Sequence, residues 1–198
     1  MSNDAPMPLV PALKVVANWR TDQIVVTTMG SAREWPKLSQ DPCDFHYIPS
    51  AMGHAPMLAL GMALAQPSRD VVVFNGDGCM LMSLGCLVTI AASGATNLTL
   101  IVLENGIYEV TGGQATAAAA QAPTVDFAAA ARAAGFAHVA AFDSLDDWRR
   151  GAAAALQSPG PRFVLLRVAP VGPEYHLPTL RPMAERIAAF RAALASDG

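Results

Sequence analysis

"VVVFNGDGCMLM" (71–82) sets Asp77 between two glycines, where one apolar run ends and another begins. The valine run is uninterrupted, the pattern of a strand covered on both faces. The apolar residues from Cys79 onward read as a helix. Gly76-Asp77-Gly78 therefore marks the carboxyl end of a strand directly before a helix N-terminus. In an open parallel sheet, ligands bind beyond the carboxyl ends of the strands. Glycines there let the backbone approach a ligand, while free N–H groups and the helix dipole favour an anion. An aspartate would repel a bound phosphate unless a cation lay between them. A hard divalent ion such as Mg²⁺ resolves the conflict by bridging carboxylate and phosphate oxygens. The plainer reading is a tight turn with an N-capping aspartate.

Outward from this turn, short β-branched runs alternate with alanine- and leucine-rich ones. Strands are expected at 22–28, 44–48, 70–74, 98–104, near 138–142 and at 162–168. Helices are expected at 53–67, 79–94, from Asp126 to the stop at Gly135, from Ser144 to Gln157, and at 180–195. Residues 1–20 read as an N-terminal arm or helix, and 111–124, rich in Gly, Thr and Ala, as a mobile loop. Strand–helix alternation with doubly covered strands predicts an α/β fold: one domain, a parallel sheet flanked by helices on both faces.

Composition narrows the function. Of 198 residues, 53% are apolar and 15% charged, which suits a packed core and not disorder. The net charge of −3 offers no basic face to nucleic acid. Cys43, Cys79 and Cys86 form no CxxC pair, so neither a disulfide framework nor a zinc site is expected. No basic stretch followed by an apolar run opens the chain, and its apolar segments are broken before membrane-spanning length. The expectation is a soluble, cytoplasmic protein with no membrane contact.

A second motif lies downstream. The buried run 98–104 ends in "LENGIYE" (103–109), which puts Asn105 at the mouth of a neighbouring strand. Its amide oxygen could serve the same cation as Asp77, and a backbone carbonyl just after it could add a third ligand. Asn-Gly taken alone is a turn signal. No Lys or Arg occurs between Arg69 and Arg132, so a phosphate held by this span relies on metal and backbone dipoles.

GDG followed, after 26 intervening residues, by an asparagine at a strand end resembles the diphosphate-binding motif of thiamine-diphosphate (ThDP) enzymes. Glu104-Asn105 stands where that family carries Asn-Asn, a departure at the first position. "TTMGSARE" (27–34) resembles the family's first diphosphate loop, and "SAMGHAPMLALGMALAQP" (50–67) the stretch that cradles the middle of the cofactor. "NGIYEVTGGQ" (105–114) is similar to the sulfopyruvate and phosphonopyruvate decarboxylase branch. The resemblance spans about residues 20–170 and fits the pyrophosphate-binding domain.

Residue by residue, it implies that Asp77, Asn105 and the carbonyl of Ile107 hold Mg²⁺. Gly30, Ser31, Gly76, Gly78 and Cys79 would meet the diphosphate, chiefly through backbone N–H groups. Met52 would prop the cofactor in its bent form, where an unrelated methionine would be core. The carbonyl of Ser50 would accept from the 4′-amino group. His46 and His54 are candidates for substrate binding or proton transfer, against a structural role for either.

The glutamate that activates the pyrimidine belongs, in this family, to a separate pyrimidine-binding (PYR) domain. No such motif stands here, so the resemblance implies a hetero-oligomer with a PYR partner subunit, acting on a small 2-oxo acid. Arg33, Lys37 or the partner would supply cations for an acidic substrate. Rival readings are half of a carboligase or oxidoreductase, or a scaffold subunit with a vestigial site; ferredoxin-linked enzymes carry cluster cysteines in a spacing absent here. A nicotinamide-binding domain is disfavoured, because its G-x-G-x-x-G would need glycine at Leu81.

Overall fold

A computed structural model describes residues 6–119, 125–172 and 179–195. In chain order the elements are α1 (Leu9–Trp19), β1 (Ile24–Thr27), α2 (Met29–Glu34), β2 (Asp44–His46), α3 (Ala55–Ala65), β3 (Val71–Gly76), α4 (Asp77–Met82), α5 (Cys86–Ala92) and β4 (Leu98–Glu104). There follow β5 (Ile107–Tyr108), β6 (Gln114–Ala115), α6 (Phe127–Ala134), β7 (His138–Phe142), α7 (Leu145–Gln157), β8 (Arg162–Arg167) and α8 (Met183–Ala195). Six strands form one parallel sheet in the order β2-β1-β3-β4-β8-β7, and β5 and β6 make a separate antiparallel ribbon.

The four central strands β1, β3, β4 and β8 are buried on both faces, which is why they read as largely apolar runs, while the edge strands β2 and β7 are mostly half-buried. Successive residues point to opposite faces. Val71 and Val73 join α3, α5 and α6 in one core, and Val72 and Phe74 join α1 and α7 in the other. Small residues Ala55, Ala59 and Ala63 let α3 lie close on the sheet. Helix ends follow their sequence signals. Asp126 accepts from the Ala129 N–H at 2.9 Å, Ser144 accepts from Asp147 N–H at 3.2 Å, and Gly135 adopts the left-handed φ of 100° that closes α6.

Three expectations need correction. The helix expected over 79–94 is two helices, α4 and α5. The chain leaves helical geometry at Ser83 (φ −143°, ψ 41°), and Gly85, a poor helix former, caps the second piece. The N-terminal piece also starts earlier, so Asp77 is its first residue. The loop expected over 111–124 is in part ordered: Gln114 and Ala115 pair with Tyr108 and Ile107, while 120–124 lie outside the described residues. The helix expected from 53 starts only at Ala55, because Gly53 has φ +86°. Residues 9–19 are no loose arm; Leu9, Ala12, Leu13 and Val16 are buried against the sheet. Among the described residues no helix is long and apolar enough to cross a membrane.

Candidate functional site

The strand order places β1 and β3 side by side, while the chain after β1 goes outward to β2 before returning to β3. That reversal opens a crevice at their carboxyl ends, where doubly wound sheets hold ligands. A cleft occupies it, walled by Thr28–Ser31, Gly76–Cys79 and the turn after β4. Gly76 of β3 pairs with Leu103 of β4, so GDG and Asn105 emerge side by side, as their sequence positions required.

Two short helices begin at this cleft. At α2, Thr28 and Ser31 form a reciprocal capping box, and the Thr28 hydroxyl donates to the Phe74 carbonyl at 3.0 Å. This ties the Gly30-Ser31 loop to β3. At α4, the first backbone N–H groups of Asp77, Gly78 and Cys79 have no partner within the helix. The ring of Tyr108 lies directly on Gly78: a Cβ there would stand 2.6 Å from Tyr108 Cδ1. Gly78→Ala is therefore expected to displace the ring and cost about 1–3 kcal/mol, as overpacking does. Denaturant unfolding measures it, and an unchanged midpoint would show that the ring simply swings away.

Asp77 is 1% exposed. Its Oδ2 accepts from the Gly106 N–H at 3.1 Å and from the Thr116 hydroxyl at 2.8 Å. Burial pushes its pKa up, and the hydrogen bonds from Thr116 and from the backbone of Gly78 and Gly106 partly oppose the rise. The N-capping reading does not hold: Gly76 takes the N-cap of α4 with no side-chain cap bond, and Asp77 is the first helical residue, bonded across to the turn after β4. Nor does that reading account for a buried carboxylate on a cleft wall with no basic side chain beside it.

Asn105 closes an Asx turn: its Oδ1 accepts from the Ile107 N–H at 3.1 Å, and Gly106 supplies φ +76°. Turn and ligand readings are compatible, because a carbonyl oxygen keeps a second lone pair. Ile107 also lines the cleft.

The remaining candidates divide. Met52 is 38% exposed and lines the cleft, which removes its reading as core. It is held there by Gly53, whose absent Cβ would meet the Cys79 carbonyl at 3.0 Å and Met82 at 3.2 Å. Cys79 lines the cleft too, with its thiol pushed up by burial and so protonated at neutral pH. Ser50 is absent from the cleft wall, and its buried Oγ has no hydrogen-bond partner. Neither histidine lines the cleft. His46 ends β2, with Nδ1 2.8 Å from the Thr27 hydroxyl, its pKa lowered mainly by burial. His54 is exposed before α3, its Nδ1 3.2 Å from the Met52 carbonyl.

Sequence reasoning missed Thr116, Tyr108 and Glu109. Tyr108 and Glu109 sat in a quoted motif without a role; Thr116 reaches Asp77 across 39 positions and left no local signal.

The donor set is selective. Among the described residues, no three His, Cys, Asp or Glu side chains gather as metal ligands, and no Lys or Arg lines the cleft. What it offers is a buried carboxylate, an amide oxygen and backbone N–H groups at two helix starts. Oxygen donors suit a hard divalent cation, and the N–H groups suit an anion. An uncompensated buried carboxylate beside an anion site fits a metal–diphosphate pair.

Comparison with known proteins agrees with this geometry. The family model described as thiamine pyrophosphate enzyme, C-terminal TPP binding domain, matches residues 26–166. A phosphonopyruvate decarboxylase of Streptomyces viridochromogenes is 43% identical over 159 residues, 79% of this chain and 38% of that protein. A sulfopyruvate decarboxylase subunit beta of Methanothermobacter thermautotrophicus is 35% identical over 162 residues, 81% of this chain and 82% of that subunit. The chain spans about two fifths of the length of the phosphonopyruvate decarboxylases it matches. In fold it resembles benzoylformate decarboxylase from Polynucleobacter necessarius, with a TM-score of 0.67 at 19% identity over 88% of this chain and 34% of that one.

Proposed function

Since the chain belongs to the thiamine pyrophosphate enzymes and carries their C-terminal TPP-binding domain, we propose that it is the diphosphate- and Mg²⁺-binding subunit of a two-chain 2-oxo acid decarboxylase. The observation that carries this reading is Asp77: a buried carboxylate on the cleft, hydrogen-bonded to the turn that bears Asn105, with no basic side chain on the cleft wall. The substrate is a sulfopyruvate- or phosphonopyruvate-like acid, a class supported by the names of the relatives. A PYR partner subunit supplies the pyrimidine-activating glutamate. Support for two chains comes from similarity to a protein named subunit beta, 82% of which the match covers.

When bound, ThDP supplies an electron sink for the pair left behind as a 2-oxo acid loses CO₂. The chain's own residues bind and orient. Asp77, Asn105 and the Ile107 carbonyl would hold the cation, whose charge would offset that of a diphosphate in a cleft with no Lys or Arg lining it among the described residues. Gly30–Ser31 and Gly78–Cys79, at the starts of α2 and α4, would meet the diphosphate oxygens through backbone N–H groups not already bonded within each cap. Met52, set on the cleft by the close approach of Gly53 to α4, would offer the cofactor an apolar prop. Met52, Met82, Leu64 and Val88 are exposed apolar side chains, 38%, 50%, 55% and 61% respectively. The first two lie on the cleft, where a partner subunit would cover them.

Calorimetric titration of the purified chain with ThDP tests the reading. Binding is expected with Mg²⁺ and lost in a chelator; binding that ignores the metal would refute the site. Met52→Ala is expected to lower turnover of the assembled enzyme more than ThDP affinity, since diphosphate and metal contacts remain. Equal turnover would deny Met52 its orienting role.

A further inference from the structure

We propose that Glu109 is a positioning residue that fixes the Asn105 amide with its oxygen available to the cation and its nitrogen turned away, an inference that rests on the metal–diphosphate reading above. The Asn105 side chain is held at both ends. Its Oδ1 accepts from the Ile107 N–H at 3.1 Å, and its Nδ2 donates to Glu109 Oε2 at 3.5 Å. The two ends of a primary amide are nearly the same size and opposite in function. Turned over, Asn105 would aim an N–H₂ group at the cation, set its oxygen against the Glu109 carboxylate, and lose the Ile107 bond. Both Glu109 oxygens act as acceptors, Oε1 from the Val171 N–H and Oε2 from Asn105, so the carboxyl group selects the nitrogen.

Glu109 is itself anchored. Its Oε1 accepts from the Val171 N–H at 2.5 Å, across 62 positions. Its Oε2 lies against Gly30, where a Cβ would stand only 3.2 Å away. Three walls of the cleft therefore meet at this carboxylate: the turn after β4, the start of α2, and the segment following β8. Tyr108, whose ring lies on Gly78, and Glu109, which bonds Asn105, are consecutive residues on the segment after β4. Groups acting on metal ligands from behind alter metal affinity by roughly 10–100-fold when replaced.

The experiment is an exchange of donor and acceptor. In Glu109→Gln, the new carbonyl can still accept from Val171 while its N–H₂ faces the Asn105 N–H₂. The Mg²⁺ concentration for half-maximal ThDP binding, read by calorimetry at fixed ThDP, should rise by about tenfold or more. Asn105→Asp alone sets two carboxylates against each other. The double variant Asn105→Asp/Glu109→Gln restores a donor–acceptor pair with the roles reversed, and should need less Mg²⁺ than either single variant. The melting temperature of Glu109→Gln without metal should match that of the parent chain, which separates positioning from folding. A parental Mg²⁺ requirement in Glu109→Gln, or strictly additive effects in the double variant, would overturn the positioning role. Either result, with Asp77→Ala still unable to bind, would leave the metal–diphosphate reading standing. A parent chain that binds no ThDP in Mg²⁺ would remove both.

Discussion

Asp77→Ala is expected to abolish Mg²⁺-dependent ThDP binding while leaving the fold in place. The carboxylate is the one charged member of the proposed ligand set, and it is 1% exposed. Removing one partner of a buried charge pair costs about 3–5 kcal/mol, a factor of roughly 10²–10³·⁵ in affinity. The fold depends on it far less. Asp77 belongs to neither apolar core, and its burial without a paired cation opposes ionisation. Alanine does leave the Gly106 N–H and the Thr116 hydroxyl without their acceptor, so the companion variant Asp77→Asn is informative. Asparagine retains an acceptor for those donors and removes only the charge. Its melting curve without metal should lie close to that of the parent, and its Mg²⁺-dependent affinity should still collapse. Wild-type affinity by calorimetry in both variants would remove Asp77 from the metal site and return GDG to an ordinary turn.

The parts of this site that could be read in advance were those whose cause is local. Unbroken runs such as Val71–Phe74 and Leu98–Leu103 signal strands covered on both faces, and matched strand ends then bring Asp77 and Asn105 together without further information. Gly76-Asp77-Gly78 and Asn105-Gly106 announce turns because glycine backbones allow them. The break between α4 and α5 gave no comparable signal. Ser-Leu-Gly is tolerated inside helices, and the packing there involves Gly53, thirty positions upstream, against Met82 and Ser83. Thr116 and Val171 were invisible for the same reason, since each reaches the site through one hydrogen bond from a distant segment. The resemblance placed His46 and His54 near the site; neither lines the cleft, and for His46 the reason is topological, since β2 is the edge strand and carries it away from the crevice between β1 and β3.

The isolated chain is expected to bind the cofactor and release no CO₂, with decarboxylation appearing only when a PYR-type partner is added. Activating the pyrimidine requires a carboxylic acid at its N1′, and the acids near the cleft are committed elsewhere. Asp77 and Glu109 line the cleft at the proposed metal end, Asp77 bonded to the Gly106 N–H and Glu109 to the Asn105 amide. Glu104 points to β8, its Oε2 2.9 Å from Arg167 Nε. Glu34 is buried with Arg33 at 2.7 Å and Lys37 at 2.8 Å. Among the described residues none of these four is free to serve the far end of an extended cofactor. General acid–base participation contributes about 10²–10⁴-fold, so its absence should leave turnover near background. The assay incubates the chain with ThDP, Mg²⁺ and a panel of 2-oxo acids including sulfopyruvate and phosphonopyruvate, with and without a PYR-type partner subunit, and follows CO₂. The partner alone serves as the control and should be equally inert. Robust release by this chain alone would mean that one of its own acids reaches the pyrimidine, and the two-chain division of the site would have to be abandoned.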